Sequence, residues 1–190
     1  MNEIDEQNKR IDALIDHART AYPGIIAINL GCGTINVDVE GFDKTINVDL
    51  RPEVKPDLVA DVFSVWDKEE VKSQKVGLVY FSHVLEHFVR AEGRRLIAFV
   101  AKNLIPGGKI WIKVPNLEYA MIQILRDGTP NEMSMDILYG HQEYSTNFHK
   151  IGFTPRSLRD FVTEQGLFKI ESCEAIGSGE EIELKGEVIR

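Results

Sequence analysis

Residues 25–30 read Ile-Ile-Ala-Ile-Asn-Leu, and the chain then turns at once on Gly31-Cys32-Gly33. An unbroken apolar run of strand length suits a strand covered on both faces, and such strands belong to parallel sheets flanked by helices. Residues 75–81 (KVGLVYF) and 109–114 (KIWIKV) repeat the pattern, and 45–50 (TINVDL) and 57–62 (DLVADV) are two further strand candidates. Helical spacing falls between them. Ile11, Leu14, Ile15 and Ala18 predict a helix over about residues 5–20, closed by Pro23-Gly24. Leu96, Ile97, Val100, Ala101 and Leu104 share one face over 94–104, which Pro106-Gly107-Gly108 stops. The charged stretch 66–74 and residues 117–126 read as helix, and 154–166 opens on Thr-Pro and closes on Gly166.

Strands alternating with helices predict an α/β fold with a doubly wound, mostly parallel Rossmann-like sheet. Two closing strands, LFKIESCE and EEIELKGEVI, are joined by Gly177-Ser178-Gly179, which predicts an antiparallel C-terminal pair at the sheet edge. At 190 residues, with 43% apolar and 27% charged residues, the expected organisation is one soluble domain over 1–190. Residues 1–22 are expected to hold its N-terminal helix, and 127–153 is an irregular stretch rich in Tyr, His, Asn and Met. A net charge of −8 argues against nucleic acid as the main partner, because phosphate binding needs a basic surface. Two distant cysteines, Cys32 and Cys173, fit a reducing compartment. The polar start MNEIDEQNKR does not read as a secretory signal, and no apolar run is long enough to span a membrane. The expected location is cytoplasmic, and the oligomeric state is left open.

In a doubly wound sheet, ligands bind at the carboxyl ends of the strands. Glycines there let the backbone approach a ligand that a Cβ would block. Asp49 closes the second strand, where a carboxylate can accept from both hydroxyls of a ribose. Position 36 is Asn36 where a dinucleotide fingerprint needs its third glycine, and TINVDVEGFDK is β-branched, Asn/Asp-rich and broken by Gly41. Without a helix there, a pyrophosphate lacks its electrostatic host. A nucleoside cofactor without phosphates fits better, and S-adenosylmethionine (SAM) is the common one.

On these residues the chain resembles the class I SAM-dependent methyltransferases, above all their small single-domain "type 11" members. INLGCG (28–33), INVDL (46–50), DLVADV (57–62), VYFSHVLEHF (79–88) and LIPGGKIWIKVPN (104–116) follow in the family's order, and NFHKIGFTPRSLRDFVTEQG (147–166) resembles the segment that often comes next. The resemblance implies that Leu30, Gly31, Cys32 and Gly33 line the methionine and ribose part of SAM. It implies that Asp49 holds the ribose hydroxyls, that Asp61 reaches the adenine amino group while Val62 packs on the ring, and that Leu50 is a further cofactor-binding residue beside Asp49. Ser82 and His83 would border the transferred methyl. Asn29 stands where the family often has an acid, which weakens the expected grip on the cofactor's ammonium. The implied activity is methyl transfer to a small-molecule or saccharide acceptor.

Residues 83–87, His-Val-Leu-Glu-His, also match the H-x-x-E-H pattern of inverted zinc peptidases. On one helix, His83 and His87 would share a metal with Glu86 as base. The motif directly follows a buried strand, however, so His83 is expected in the turn, and no metal is expected. Three histidines remain candidates for a general base: His83, His87 and His149. His87 and Glu86 could equally be surface residues of a helix. His141, Tyr144, Asn147 and His149 form a polar-aromatic cluster in the stretch 127–153, which could be a lid over the acceptor or a loop packed on the sheet edge. A catalytically inactive SAM-binding protein is the alternative function, and a zinc hydrolase the remote one.

Overall fold

The computed structural model describes residues 24–189, so the expected N-terminal helix lies outside the described residues. Seven strands form one sheet: β1 Ile25–Leu30, β2 Thr45–Asp49, β3 Leu58–Val59, β4 Lys75–Ser82, β5 Leu104–Pro115, β6 Phe168–Ile176 and β7 Glu181–Val188. Their order is β3-β2-β1-β4-β5-β7-β6. Neighbours from β3 to β5 are parallel, and β7 is antiparallel to both β5 and β6. The sheet is therefore doubly wound and mostly parallel, as expected. The antiparallel C-terminal pair is also present, with β7 inserted beside β5 and β6 left as the edge.

The helices are α1 Glu69–Lys72, α2 Arg90–Asn103, α3 Leu117–Asp127, α4 Glu132–Tyr139 and α5 Pro155–Thr163. Several boundaries differ from the sequence reading. The third strand keeps two residues because Asp61 turns the chain: its Oδ1 accepts from the Phe63 N–H, and its carbonyl accepts from Ser64 and Val65. The stretch 127–153 contains α4, started by Asn131 and Ser134, each of whose side chains accepts the other's backbone N–H at 2.9 Å. Thr154 and Ser157 make the same reciprocal start before Pro155 of α5.

Both faces of the sheet are covered. Ile26, Ile28, Leu30, Val79, Phe81, Ile110 and Ile112 pack with Leu96, Ile97 and Val100 of α2 and Leu158 and Phe161 of α5. On the opposite face Ala27, Leu78, Tyr80 and Trp111 meet Val37 and Val39. Those two valines belong to residues 34–44, which form no helix, as their composition predicts. Asn47 of β2 docks the segment instead. Its Oδ1 accepts from Val37 N–H at 2.8 Å, and its Nδ2 donates to the Val37 carbonyl at 3.2 Å.

Candidate functional site

β1 pairs with β2 on one side and β4 on the other, so the strand order reverses at β1 and a crevice opens at the carboxyl ends. Gly31 and Gly33 occupy it with φ of 65° and 57°. A Cβ on Gly31 would sit 2.5 Å from Val84 Cγ2, so any substitution there displaces Val84 and strains a left-handed backbone. Asp49 ties the turn to β2: its Oδ2 accepts from Gly33 N–H at 2.8 Å, while its Oδ1 accepts from Arg51 N–H at 2.9 Å and from Arg51 Nε at 3.2 Å. The Asp49 carboxylate is buried, yet one lone-pair direction on Oδ2 is still uncommitted after these bonds.

Two cavities flank this turn. The smaller, about 260 Å³, is walled by Asp49, Leu50, Asp61, Val62, Val84 and Phe88. The larger, about 860 Å³, takes in Asn29, Cys32, Gly33, Ser82, His149 and Glu181. Gly31, Arg51, His83, His87 and Tyr144 line both, so the two are chambers of one cleft. The structure thus brings together every sequence-predicted site residue except Leu30, whose side chain is fully buried in the main core and lines neither chamber. That assignment is corrected for the side chain, because position 30 points into the sheet's packed face.

Asn29 spends both amide hydrogens inside the protein, on Asn47 Oδ1 at 3.0 Å and on the Ile35 carbonyl at 3.4 Å. Its oxygen is the group left to accept from a ligand. Burial first, then the Asp49 and Asp57 charges, push the Cys32 thiol up to about 11, so it is a neutral wall group.

The histidines separate sharply. His83 sits in the left-handed region at φ 55°, and Leu85–His87 is a single 3-10 turn, so the helix that a zinc peptidase needs does not form. His83 Nε2 lies 2.7 Å from Glu181 Oε1, and its Nδ1 lies 3.3 Å from Glu86 Oε1. Desolvation pulls its pKa down, but these two carboxylates outweigh it and hold the imidazolium up to about 10. Hydrogen-bonded to Glu181 through Nε2 and ion-paired to Glu86 on its Nδ1 side, His83 is held as an imidazolium with no lone pair for an acceptor's proton, which corrects its candidacy as a base. His87 Nδ1 lies 3.1 Å from the Phe148 carbonyl, and His149 Nδ1 lies 2.9 Å from the Ile137 carbonyl. Each contact fixes Nδ1 as the donor and frees Nε2. Burial lowers the His149 pKa, favouring the neutral ring. The two rings meet edge-on, 5.0 Å between centroids.

Tyr144 of the polar-aromatic cluster reaches the cleft, and further residues that sequence reasoning did not single out, Arg51 first, complete it. The Arg51 guanidinium stacks 4.5 Å over Tyr144, so the stretch after α4 covers the glycine turn. Thr34, Ile35 and Val37 wall the larger chamber in place of a helix. Glu132, Asp136, Glu143, Glu180 and Glu181 also face it, and Arg51 is the sole Lys or Arg among its described lining residues. The sequence signal for this was the carboxylate density after residue 130, which lacks a recognisable spacing.

No family profile matches the chain, and no curated protein does. Solved structures do. A SAM-dependent methyltransferase from Clostridium acetobutylicum ATCC 824 superposes with a TM-score of 0.66 at 13% identity, over 98% of this chain and 92% of that one. A SAM-dependent methyltransferase from Archaeoglobus fulgidus matches at 0.61 and 17% identity, over 98% and 95%. The magnesium protoporphyrin IX methyltransferase from Synechocystis PCC 6803, with bound SAH, matches at 0.60 and 12%, over 100% and 89%. With its strand order and its cleft at the point of reversal, the chain has the fold of the class I SAM-dependent methyltransferases.

Proposed function

We propose that this chain is a SAM-dependent methyltransferase acting on a small-molecule acceptor. One observation carries the reading: the Gly31–Gly33 turn, bonded to the Asp49 carboxylate, stands between two joined chambers at the carboxyl edge of the sheet. The smaller chamber is the adenosine site in this reading, with Asp49 accepting from the ribose, Asp61 from the adenine amino group, and Leu50 and Val62 against the ring. Asn29, Gly31, Cys32, Gly33 and Ser82 border the methionine end. The larger chamber takes the acceptor.

A sulfonium already carries an activated methyl, so the protein must align acceptor, methyl and sulfur and keep water away. The Arg51–Tyr144 stack supplies cover. The acidic acceptor chamber disfavours phosphate-rich partners such as nucleic acid and suits a neutral saccharide or a cationic metabolite. For a hydroxyl acceptor, the nitrogens left to meet its proton are Nε2 of His87 and His149.

Calorimetric titration of the purified chain with S-adenosylhomocysteine (SAH) tests the cofactor reading, with saturable binding at one site per chain expected. No binding would end it. The alternative of an inactive SAM binder is favoured by one finding, the double ion pair that removes His83 as a base. Release of SAH from SAM across a panel of hydroxyl and amine acceptors decides between the two.

A further inference from the structure

The cleft contains a buried charge that methyl transfer alone leaves unexplained. Glu86 is 1% exposed, and neither of its carboxylate oxygens has a hydrogen-bond partner of proper geometry. His83 Nδ1 lies at 3.3 Å and His149 Nε2 at 4.0 Å from Oε1. The His83 imidazolium meets this carboxylate from one side only, and Oε2 is left buried without a partner, which favours a further cation on the side of His87 and His149. Beside it stand two imidazoles whose Nδ1 atoms are held by backbone carbonyls and whose Nε2 atoms are free. That is the arrangement by which outer partners orient histidine ligands toward a metal. One donor atom from each of Glu86, His87 and His149 lies within 4.8 Å of the others.

We propose that Glu86, His87 and His149 form a binding site for a divalent transition-metal cation of the Zn²⁺ class. Two imidazoles and one carboxylate select such an ion over Mg²⁺ or Ca²⁺, which prefer all-oxygen sets. Tetrahedral Zn²⁺ with ligands at about 2.0–2.2 Å needs donors roughly 3.4 Å apart, so side-chain rotations of little over 1 Å close the site. His87 and His149 line the larger chamber, so a fourth position opens into it. His83, fixed by Glu181 on its far side, is the outer partner of the ligating carboxylate. This differs from the peptidase pattern, because His83 is not a ligand and the third ligand comes from the far side of α4. The use of the ion rests on the methyltransferase reading: with the ion bound, Nε2 of His87 and of His149 serve as ligands in place of the base role, and the ion would hold an acceptor through a hydroxyl oxygen, whose proton leaves to solvent.

Ion binding itself is tested without any acceptor. The full chain is stripped with EDTA, dialysed and titrated with ZnCl₂ by calorimetry, and one ion per chain is expected. Glu86→Gln and His149→Asn are each expected to weaken binding by at least about tenfold. His141→Ala, which removes an exposed imidazole paired to Asp136 in the same chamber, is expected to bind as the parent does. Absence of saturable binding by the parent overturns the proposal. So does parent-like affinity in Glu86→Gln and His149→Asn, or loss of binding in His141→Ala. Should a variant fail to fold, Co²⁺ added to the parent gives an independent reading. Intense visible bands of a four- or five-coordinate site support the cluster, and the pale spectrum of hydrated Co²⁺ overturns it. The Zn²⁺ and SAH titrations read different residues, so failure of either leaves the other standing.

Discussion

The Asp49 carboxylate accepts the Gly33 backbone N–H at 2.8 Å across 16 residues, and so holds the glycine turn against the end of β2. The same carboxylate takes two bonds from Arg51. Asp49→Ala is expected to loosen the turn and remove the ribose acceptor together. A hydrogen bond to a charged group is worth about 1.5–3 kcal/mol, so SAH affinity should fall roughly 10- to 100-fold. Asp49→Asn keeps an acceptor for Gly33 without the charge and should fall between. Calorimetry with thermal melts checks both, and parent-like affinity in Asp49→Ala would remove the ribose assignment.

Arg51 and Tyr144 form the second expectation. Arg51 belongs to the turn after β2, Tyr144 to the stretch after α4, and their stack at 4.5 Å spans the mouth shared by both chambers. Partly exposed cation–π contacts contribute about 0.5–1 kcal/mol, so Tyr144→Ala should leave thermal stability nearly unchanged. Its effect should appear in kinetics, as SAH dissociation several-fold faster in stopped-flow measurements. An unchanged dissociation rate would mean that the stack does not cover the cofactor.

The main features of the fold are legible in the sequence because fully buried strands need unbroken apolar runs: 25–30 and 75–81 stand out for that reason. β3 and α1 are read at 57–62 and 66–74 but prove shorter, since Asp61 and the surrounding backbone set their ends through local hydrogen bonds with no periodicity. In the site, glycines and acids at strand ends are readable from chemistry. Arg51 is not, because Arg51-Pro52 looks like any turn until Tyr144 is placed over it. His149 reads as one histidine among several until α4 brings it 4.0 Å from Glu86.

Thiol chemistry gives a third test. Burial and neighbouring acids push Cys32 up to about 11, and burial also raises Cys173. A folded-state pKa above the ordinary thiol range means that folding favours the protonated form. That contribution to stability is complete below the ordinary range and is lost as pH climbs toward about 11. At pH near 8, iodoacetamide should leave both thiols unlabelled by intact-mass analysis until denaturant is added. In Asp49→Ala, Cys32 should label faster, because one of the raising charges is gone. Rapid labelling of Cys32 in the folded parent would contradict its buried, anionic surroundings.

Asn47 carries the last expectation, because it replaces a whole helix as the anchor of one cleft wall. Its side chain satisfies Val37 N–H and C=O, receives the Asn29 amide at 3.0 Å and donates to Asp57 Oδ2 at 2.9 Å. Asn47→Ala leaves several buried polar groups without partners, at about 1–3 kcal/mol each. A loss of about 3 kcal/mol would lower the melting temperature by roughly 6–12 °C in a chain of this size. Asn47→Asp keeps the shape but turns a donor into a second carboxylate against Asp57. Like charges so close raise a carboxyl pKa in the folded state. The unfolded chain then holds fewer protons than the folded one, so the variant's stability should recover as pH falls through the carboxylate range and worsen toward neutrality. Melts of Asn47→Asp at about pH 5 and about pH 8 should therefore differ more than those of the parent. Equal pH dependence would show that Asn47 and Asp57 do not share their oxygens and amide as the structure has them. The wall formed by residues 34–44 would then need another anchor.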